Sequence, residues 1–470
     1  MMQDTTKKTA KEKAKEKGSV QLGFYGGVGS VTGANFLLTT PKGKALIDCG
    51  MRQGLRMCDV SNANTFGYDL STLDALVVTH AHIDHIGRIP KLVKDGFRGH
   101  IYSTPETKEL AEVMLPNAAQ LLTEEAISCG TTPLYTADDV PPIFSQWQTY
   151  PYYTPFQVAD MTFEFKNAGH ILGSAIVQCT HPSVGKIIFT GDLGNMPSLM
   201  MKDTDVIEDA NILVMESVYG DRVHENVPDR LAQLEDVIEN TIKNNGTLLI
   251  PTFSIERTQT ILYEINMLIE QDKIPKVAVF LDSPLATKVT EIYKRHPESF
   301  NEKTQEAIAG GDDIFAFKGL TVIASTQESK AIYETPGAKI IIAGSGMSHG
   351  GRIIGHEKHY LSDANSTLLI VGYQSPGSLG RQLIDGAKKV TIGKETIPVN
   401  ATVRFVSGYS GHRDVNGLMA FVNAMSLTLR KVFVTMGEPK TSQFLAQRLR
   451  DYIGVDAVYP NLGDNVTISK

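Results

Sequence analysis

The sequence predicts an α/β fold in two parts, a first unit interrupted by an inserted block and completed near the C-terminus. Three observations carry this. Between Ser19 and about Gly194, short apolar runs end abruptly in polar or glycine residues, as buried strands do where they reach a loop edge. From about Asp205, near-continuous apolar strands alternate with amphipathic helices, the pattern of a parallel sheet covered on both faces. After Pro398 short strands return, and no repeat or Pro/Ser-rich linker divides the chain.

Residues 1–18 are rich in Lys and Glu and lack an apolar run. They are expected to form a disordered, solvated tail, not a secretory signal or a nucleic-acid arm. Strands follow at KALID (44–48), ALVVT (75–79) and KIIFT (186–190). In the block, ILVME (212–216) precedes a helix over 230–243. Its Leu231, Leu234, Ile238 and Ile242 share one face, and Gly246 follows its end. Then come TLLIP (247–251), a helix over 257–270, KVAVFLD (276–282), a helix over 286–294, AKIIIAG (338–344) and STLLIVGY (366–373). The closing part holds ATVRFVSG (401–408), RKVFVTM (430–436), and helices near 415–424 and 442–452. The first domain is therefore drawn over 19–205 and 395–470, and the insertion over 206–394.

The 470 residues are 42% hydrophobic and 21% charged, an ordinary globular balance for two or three domains. No run of 18 apolar residues exists, so no membrane span is expected. A net charge of −7 gives no bulk support to nucleic-acid binding, and any basic surface must be local. Cys49, Cys58, Cys129 and Cys179 show no close pairing, which fits reduced thiols and a cytoplasmic location.

THAHIDHIGR (79–88) places three of the chain's 12 histidines and one aspartate within six positions. His80 and His82 lie two apart where a strand ends, so both imidazoles can face one ion. Asp84 and His85 follow at the turn into a helix and can face a second. Asp48, Asp192 and Glu216 each end an apolar strand, and His170 sits in a Gly-flanked turn. Singly, such acids are turn or cap residues. Together they supply donors for two adjacent ions, and imidazole plus carboxylate suits zinc, with manganese also accommodated.

HAHIDH, with Asp48 ahead of it and His170 and Asp192 behind it, resembles the metallo-β-lactamase fold. MESVYGDR (215–222), PTFSIERTQ (251–259), LDSPLA (281–286), GSGMSHGGR (344–352), VGYQSPGSLGR (371–381) and SGYSGHRDV (407–415) resemble its β-CASP branch, the nucleases of RNA processing and DNA repair. The likeness runs from about Gly23 to Leu449 and is strongest to RNA endonucleases related to the 3′-end cleavage factor. It implies a metallo-β-lactamase αββα sandwich with an inserted parallel-sheet β-CASP domain. It further implies two zinc ions, one on His80, His82 and His170 and one on Asp84 and His85, with Asp192 bridging and Asp48 orienting ligands. Glu216, in the insert's first strand, pairs with His412 by the same likeness. Asp84, Asp192, Glu216 and His412 form the implied catalytic group. Arg257, Ser345, Gly346, Met347, Arg352, Ser378 and Arg381 are implied substrate contacts.

Two positions depart from the family pattern. Met436 stands in VTMGEP where a last zinc-binding histidine is expected, and a thioether is a poor zinc ligand, so the second site is expected to be weaker. Glu256 stands where a small residue is usual, and a carboxylate beside a phosphate path repels unless it faces away. Two other patterns are set aside. GGVGSVTG (26–33) has the spacing GxGxxxG and precedes a strand, unlike a dinucleotide loop. His356-Glu357-Lys358-His359 is one residue short of a zincin motif and is read as helix surface.

The expected function is hydrolysis of single-stranded RNA within the strand, at a cleft between the domains, leaving a 5′-phosphate and a 3′-hydroxyl. The alternatives are a DNA-directed nuclease, suggested by Met436, a weakly active nucleic-acid-binding subunit, and a small-molecule hydrolase of the same fold. A homo-oligomer is allowed, and no KH module is visible.

Overall fold

The computed structural model describes residues 19–54, 58–224, 227–375 and 377–468. The tail expected over 1–18 lies outside them. In chain order the strands are β1 (Val20–Gly26), β2 (Asn35–Thr39), β3 (Lys44–Ile47), β4 (Ala75–Val77), β5 (His100–Ser103), β6 (Trp147–Thr149), β7 (Phe156–Val158), β8 (Met161–Asn167), β9 (Ala175–His181), β10 (Gly185–Phe189) and β11 (Ile212–Met215). There follow β12 (Thr247–Pro251), β13 (Ala278–Asp282), β14 (Leu320–Val322), β15 (Lys339–Ala343), β16 (Thr367–Ile370), β17 (Lys389–Ile392), β18 (Glu395–Pro398), β19 (Thr402–Phe405), β20 (Lys431–Val434), β21 (Ala457–Val458) and β22 (Asn465–Ile468).

Two seven-stranded sheets face each other, in the orders β22-β1-β2-β3-β4-β5-β6 and β21-β20-β11-β10-β9-β8-β7. Their alternate residues fill one shared core containing Phe24, Phe36, Phe163, Phe165, Phe189 and Phe433. The outer face of the first sheet is covered by helices that include Pro105–Cys129, and that of the second by Val415–Ala424 and Pro439–Arg448. This is the expected αββα sandwich. The third sheet, β14-β13-β15-β12-β16-β19, is wholly parallel. Its four inner strands, β13, β15, β12 and β16, are buried on both faces: Leu248 and Ile250 join one cluster and Leu249 the other. The first of these clusters runs on into the helix layer of the sandwich, so the insert docks through a continuous apolar contact.

The helices expected over 257–270 and 415–424 occur as Arg257–Glu270 and Val415–Ala424. Those expected over 230–243, 286–294 and 442–452 occur as Val227–Lys243, Pro284–Arg295 and Pro439–Arg448.

Four expectations are corrected. β11 lies between β10 and β20 in the sandwich, so Glu216 ends a strand of the first domain and not the insert's first strand. β19 pairs with β16 and belongs to the insert's sheet. A fully buried parallel strand such as β11 reads alike in either sheet. Cys58 and Cys129 form a disulfide across 71 residues of sequence, while Cys49 and Cys179 stay buried and free. His356 and Glu357 are not helix surface: both are fully buried, His356 on Asp282 and Glu357 on Ser348.

Phe163 is fully buried between the two sandwich sheets. Its replacement by Ala is expected to cost about 3–5 kcal/mol of stability, read from denaturant unfolding of the metal-free protein.

Candidate metal centre

The strand ends that carry the candidate ligands meet at one edge shared by both sandwich sheets. β3 runs into Asp48, β4 into Thr79 and His80, β10 into Asp192, and β11 into Glu216. His82 is the extended residue capping the short helix Ile83–Ile86, which carries Asp84 and His85. Gly191 permits the closest of these approaches: a Cβ there would lie 2.8 Å from the Thr79 side chain, so any other residue would push Asp192 away from His80.

Four donors converge. His82 Nδ1 lies 3.1 Å from His80 Nε2 and 3.2 Å from His170 Nε2. Asp192 Oδ2 lies 3.4 Å from His80 Nε2 and 3.5 Å from His170 Nε2. Tetrahedral donors at about 2.0–2.1 Å from a zinc-sized ion are separated by about 3.3–3.4 Å. The four therefore fit one ion. Two of the three rings are aimed by their other nitrogen: His80 Nδ1 meets Thr79 Oγ1 at 3.0 Å, and His170 Nδ1 donates to the Gly411 carbonyl at 3.0 Å. Burial, reinforced by the neighbouring imidazoles, holds the pKa values of His82 and His170 well below the ordinary histidine value, and burial lowers that of His80. The neutral rings that result are the ligating form.

A second, sparser set lies beside it. His85 Nε2 is 3.4 Å from Asp192 Oδ1 and 3.9 Å from Asp84 Oδ2. Both His85 Nε2 and Asp192 Oδ1 are buried without a hydrogen-bond partner in the protein, as atoms waiting for a cation are. Asp48 holds this half. Its carboxylate accepts from His85 Nδ1 at 2.7 Å and from the Thr79 N–H and hydroxyl at 2.8 Å each. Burial opposes charge on His85, but Asp192 and Asp48 outweigh it and raise its pKa. Burial lifts Asp84 to about 6.

Met436 borders this second set. Its N–H donates to the Gly27 carbonyl at 2.7 Å, and its side chain packs in the apolar core with Phe36 and Phe189. A small cavity of about 10 Å³ remains between Met436, His85, Thr79 and Glu216, room for about one water.

His412 and Glu216 form a separate couple, Nδ1 to Oε2 at 3.1 Å, with His412 Nδ1 also 3.9 Å from Asp192. Burial opposes protonation of His412, yet Glu216 and Asp192 raise its pKa to about 9. Glu216 also accepts from the Leu193 N–H, so it ties the Asp192 segment to this couple.

The implied substrate contacts divide. Arg257 is buried beside the site: a Cβ on Gly411 would touch both its Nη2 at 3.5 Å and the His170 ring at 3.2 Å. Its Nε has no acceptor, and burial with the nearby Arg230 lowers its pKa to about 10. Ser345, Gly346 and Met347 lie in the loop after β15. That loop is closed by Ser345 N–H to Gly350 O at 3.2 Å and Gln374 to Gly346 O at 2.7 Å. Three others have partners within the protein. Arg352 is committed to Asp282 at 2.5 Å and to the carbonyls of Ile323 and Ala324. Arg381 pairs with Asp385 on the surface. The Ser378 hydroxyl caps the helix Leu379–Ile384. Thr79 was not singled out in the sequence, although its hydroxyl meets Asp48, His80 and His85. Its position directly before HxH was the available signal.

Three family models match the chain: the metallo-β-lactamase superfamily over residues 29–217, the Beta-Casp domain over 258–383, and a Zn-dependent metallo-hydrolase RNA specificity domain over 396–460. Among similar proteins, Ribonuclease TTHA0252 of Thermus thermophilus is 35% identical over 84% of this chain and 89% of its own length. Transcription termination factor FttA of Methanosarcina mazei is 31% identical over 91% of this chain and 68% of its own. A solved structure from Enterococcus faecalis, of a protein of unknown function, shares the fold with a TM-score of 0.55 at 14% identity. It covers 96% of this chain and 100% of that one.

Elemental analysis is expected to find fewer than two ions per wild-type chain. Met436→His is expected to raise the count by up to one, and His82→Ala to lower it.

Proposed function

The chain belongs to the β-CASP branch of the metallo-β-lactamase superfamily, and we propose that it is a metal-dependent phosphodiesterase that cuts single-stranded RNA within the strand. The observation that carries this is the conjunction of a converging imidazole and carboxylate cage with a separately held His412–Glu216 couple at the same carboxylate, Asp192. The names of its ribonuclease and termination-factor relatives favour RNA as the substrate. Two zinc ions are proposed. His80, His82, His170 and Asp192 would hold the first, and Asp84, His85 and Asp192 the second, which Met436 leaves short of a ligand. When bound, such ions offset charge on the phosphoryl oxygens and acidify a water toward neutral pH.

The chain's own groups do the rest. Asp84 and Asp192 accept hydrogen bonds from the attacking water and fix its direction. His412 has Nδ1 on Glu216, which leaves Nε2 as its proton donor to the departing 3′ oxygen. Glu216 supports the imidazolium form of that donor. Arg257 supplies a buried guanidinium with an unfilled N–H to a phosphate of the strand. In the loop over Ser345, Gly346 and Met347, the Gly346 and Met347 backbone N–H groups are offered to another. The products are a 5′-phosphate and a 3′-hydroxyl. Among the described residues no helix is long and apolar enough to cross a membrane. Met436 favours one second reading, a DNA-directed nuclease of the same mechanism.

Purified protein with zinc is expected to cut labelled single-stranded RNA and to leave a matched DNA strand largely intact. Equal cleavage of both would favour the second reading. His412→Ala is expected to lower kcat by about 10²–10⁴ with unchanged metal content, and an undiminished rate would remove His412 from its role.

A further inference from the structure

Glu256 is a half-buried carboxylate for which the proposed chemistry has no use. It precedes the helix Arg257–Glu270, and its backbone lies at φ 63, a region that side chains seldom adopt. Such strain persists only where the surroundings hold it in place. Here the carboxylate is held at both oxygens. Oε2 accepts from the Tyr293 hydroxyl at 2.8 Å, and Oε1 accepts from the Thr260 hydroxyl at 3.3 Å. The first of these bonds ties it to the helix Pro284–Arg295, the second to its own helix.

Tyr293 carries the contact further. It is fully buried on the helix Pro284–Arg295 of the insert, and its hydroxyl oxygen accepts the Leu172 N–H at 3.2 Å. Leu172 belongs to the first domain, two residues beyond His170. The same turn is fastened from its own domain. The His170 and Ile171 N–H groups donate to Ser174 Oγ at 3.0 and 3.1 Å, and Thr104 and Thr107 donate to the Gly173 carbonyl. The Tyr293 bond fastens it from the insert. Because the tyrosine proton goes to Glu256, the oxygen's lone pair is left for Leu172, and a carboxylate acceptor strengthens that chain of bonds. The next residue, Arg257, reaches the far side of His170 at Gly411. One dipeptide of the insert thus brackets a metal-binding turn of the other domain.

We propose that Glu256 is a positioning residue: through Tyr293 it locks the insert onto the His170 turn, so that the sandwich retains its metal only while the insert is docked. This rests on His170 being a ligand, and it does not depend on the substrate being RNA. Opening of the seam would slacken the His170 turn and couple cleft motion to metal affinity.

The test is the rate at which zinc-loaded full-length protein gives up zinc to a chromogenic chelator. Tyr293→Phe and Glu256→Ala are expected to release it about 10-fold faster, as loss of a group that orients a ligand does. Glu256→Gln keeps an acceptor for the tyrosine hydroxyl and is expected to stay close to the wild-type rate. Release from Tyr293→Phe at the wild-type rate overturns the proposal. So does equal acceleration in Glu256→Gln and Glu256→Ala, which assigns the effect to lost charge. If Glu256→Ala does not fold, Tyr293→Phe carries the test, since it removes one oxygen and leaves the ring in place. Zinc release is read without RNA, so a failure here is distinct from failure of the nuclease assignment.

Discussion

A carboxylate almost wholly out of water, Asp192, sits within 3.4 to 3.9 Å of four imidazoles, those of His80, His85, His170 and His412. An unpaired charge at such a depth is costly, and the fold offsets that cost by bringing cations or potential cations to it from every side. The requirement reaches far into the structure. The ends of β4 and β10 must touch, which Gly191 allows. The turn after β8 must fold back to deliver His170, and the chain returning from the insert must pass close enough to deliver His412. The groups around the cluster set direction. Asp48, Thr79 and the Gly411 carbonyl each occupy the nitrogen of a ring that does not face the centre, which selects the tautomer and the aim of the other, while Glu216 holds His412 by its Nδ1.

The insert serves the same centre from outside. The chain leaves the sandwich just after Glu216 and comes back just before His412, so its two connections flank the couple proposed to move the proton. Short bridges join the return segment to the Asp192 loop, Gly194 to His412, and to the exit, Tyr219 to Asp414. Glu256, Tyr293 and Arg257 add contacts from the body of the insert onto the His170 turn. The centre is thus a property of the assembled pair of domains, although every proposed metal ligand lies in the sandwich.

Much of this was legible from local spacing. HAHIDH places its donors by strand and helix geometry alone, and Asp48, Asp192 and Glu216 announce themselves as acids at the ends of apolar strands. Spacing fails where the deciding fact is long-range. ILVM is apolar at every position and cannot say which sheet it joins, so the spacing alone does not assign Glu216 to the sandwich. Arg352 reads as a substrate contact and His356 as helix surface, because nothing local reveals Asp282, some seventy residues away, as their shared buried partner. Cys58 and Cys129 lie 71 residues apart, beyond any spacing rule. Nothing local to Glu256 reveals its bond to Tyr293, on a helix some forty residues away.

Anomalous diffraction at the zinc edge, from crystals grown with zinc, tests the central claim most directly. The account predicts a strong peak equidistant from His80 Nε2, His82 Nδ1, His170 Nε2 and Asp192 Oδ2, and a weaker one between His85 Nε2 and Asp192 Oδ1. Absence of the strong peak from the centre of those four atoms, with zinc bound elsewhere, would contradict it.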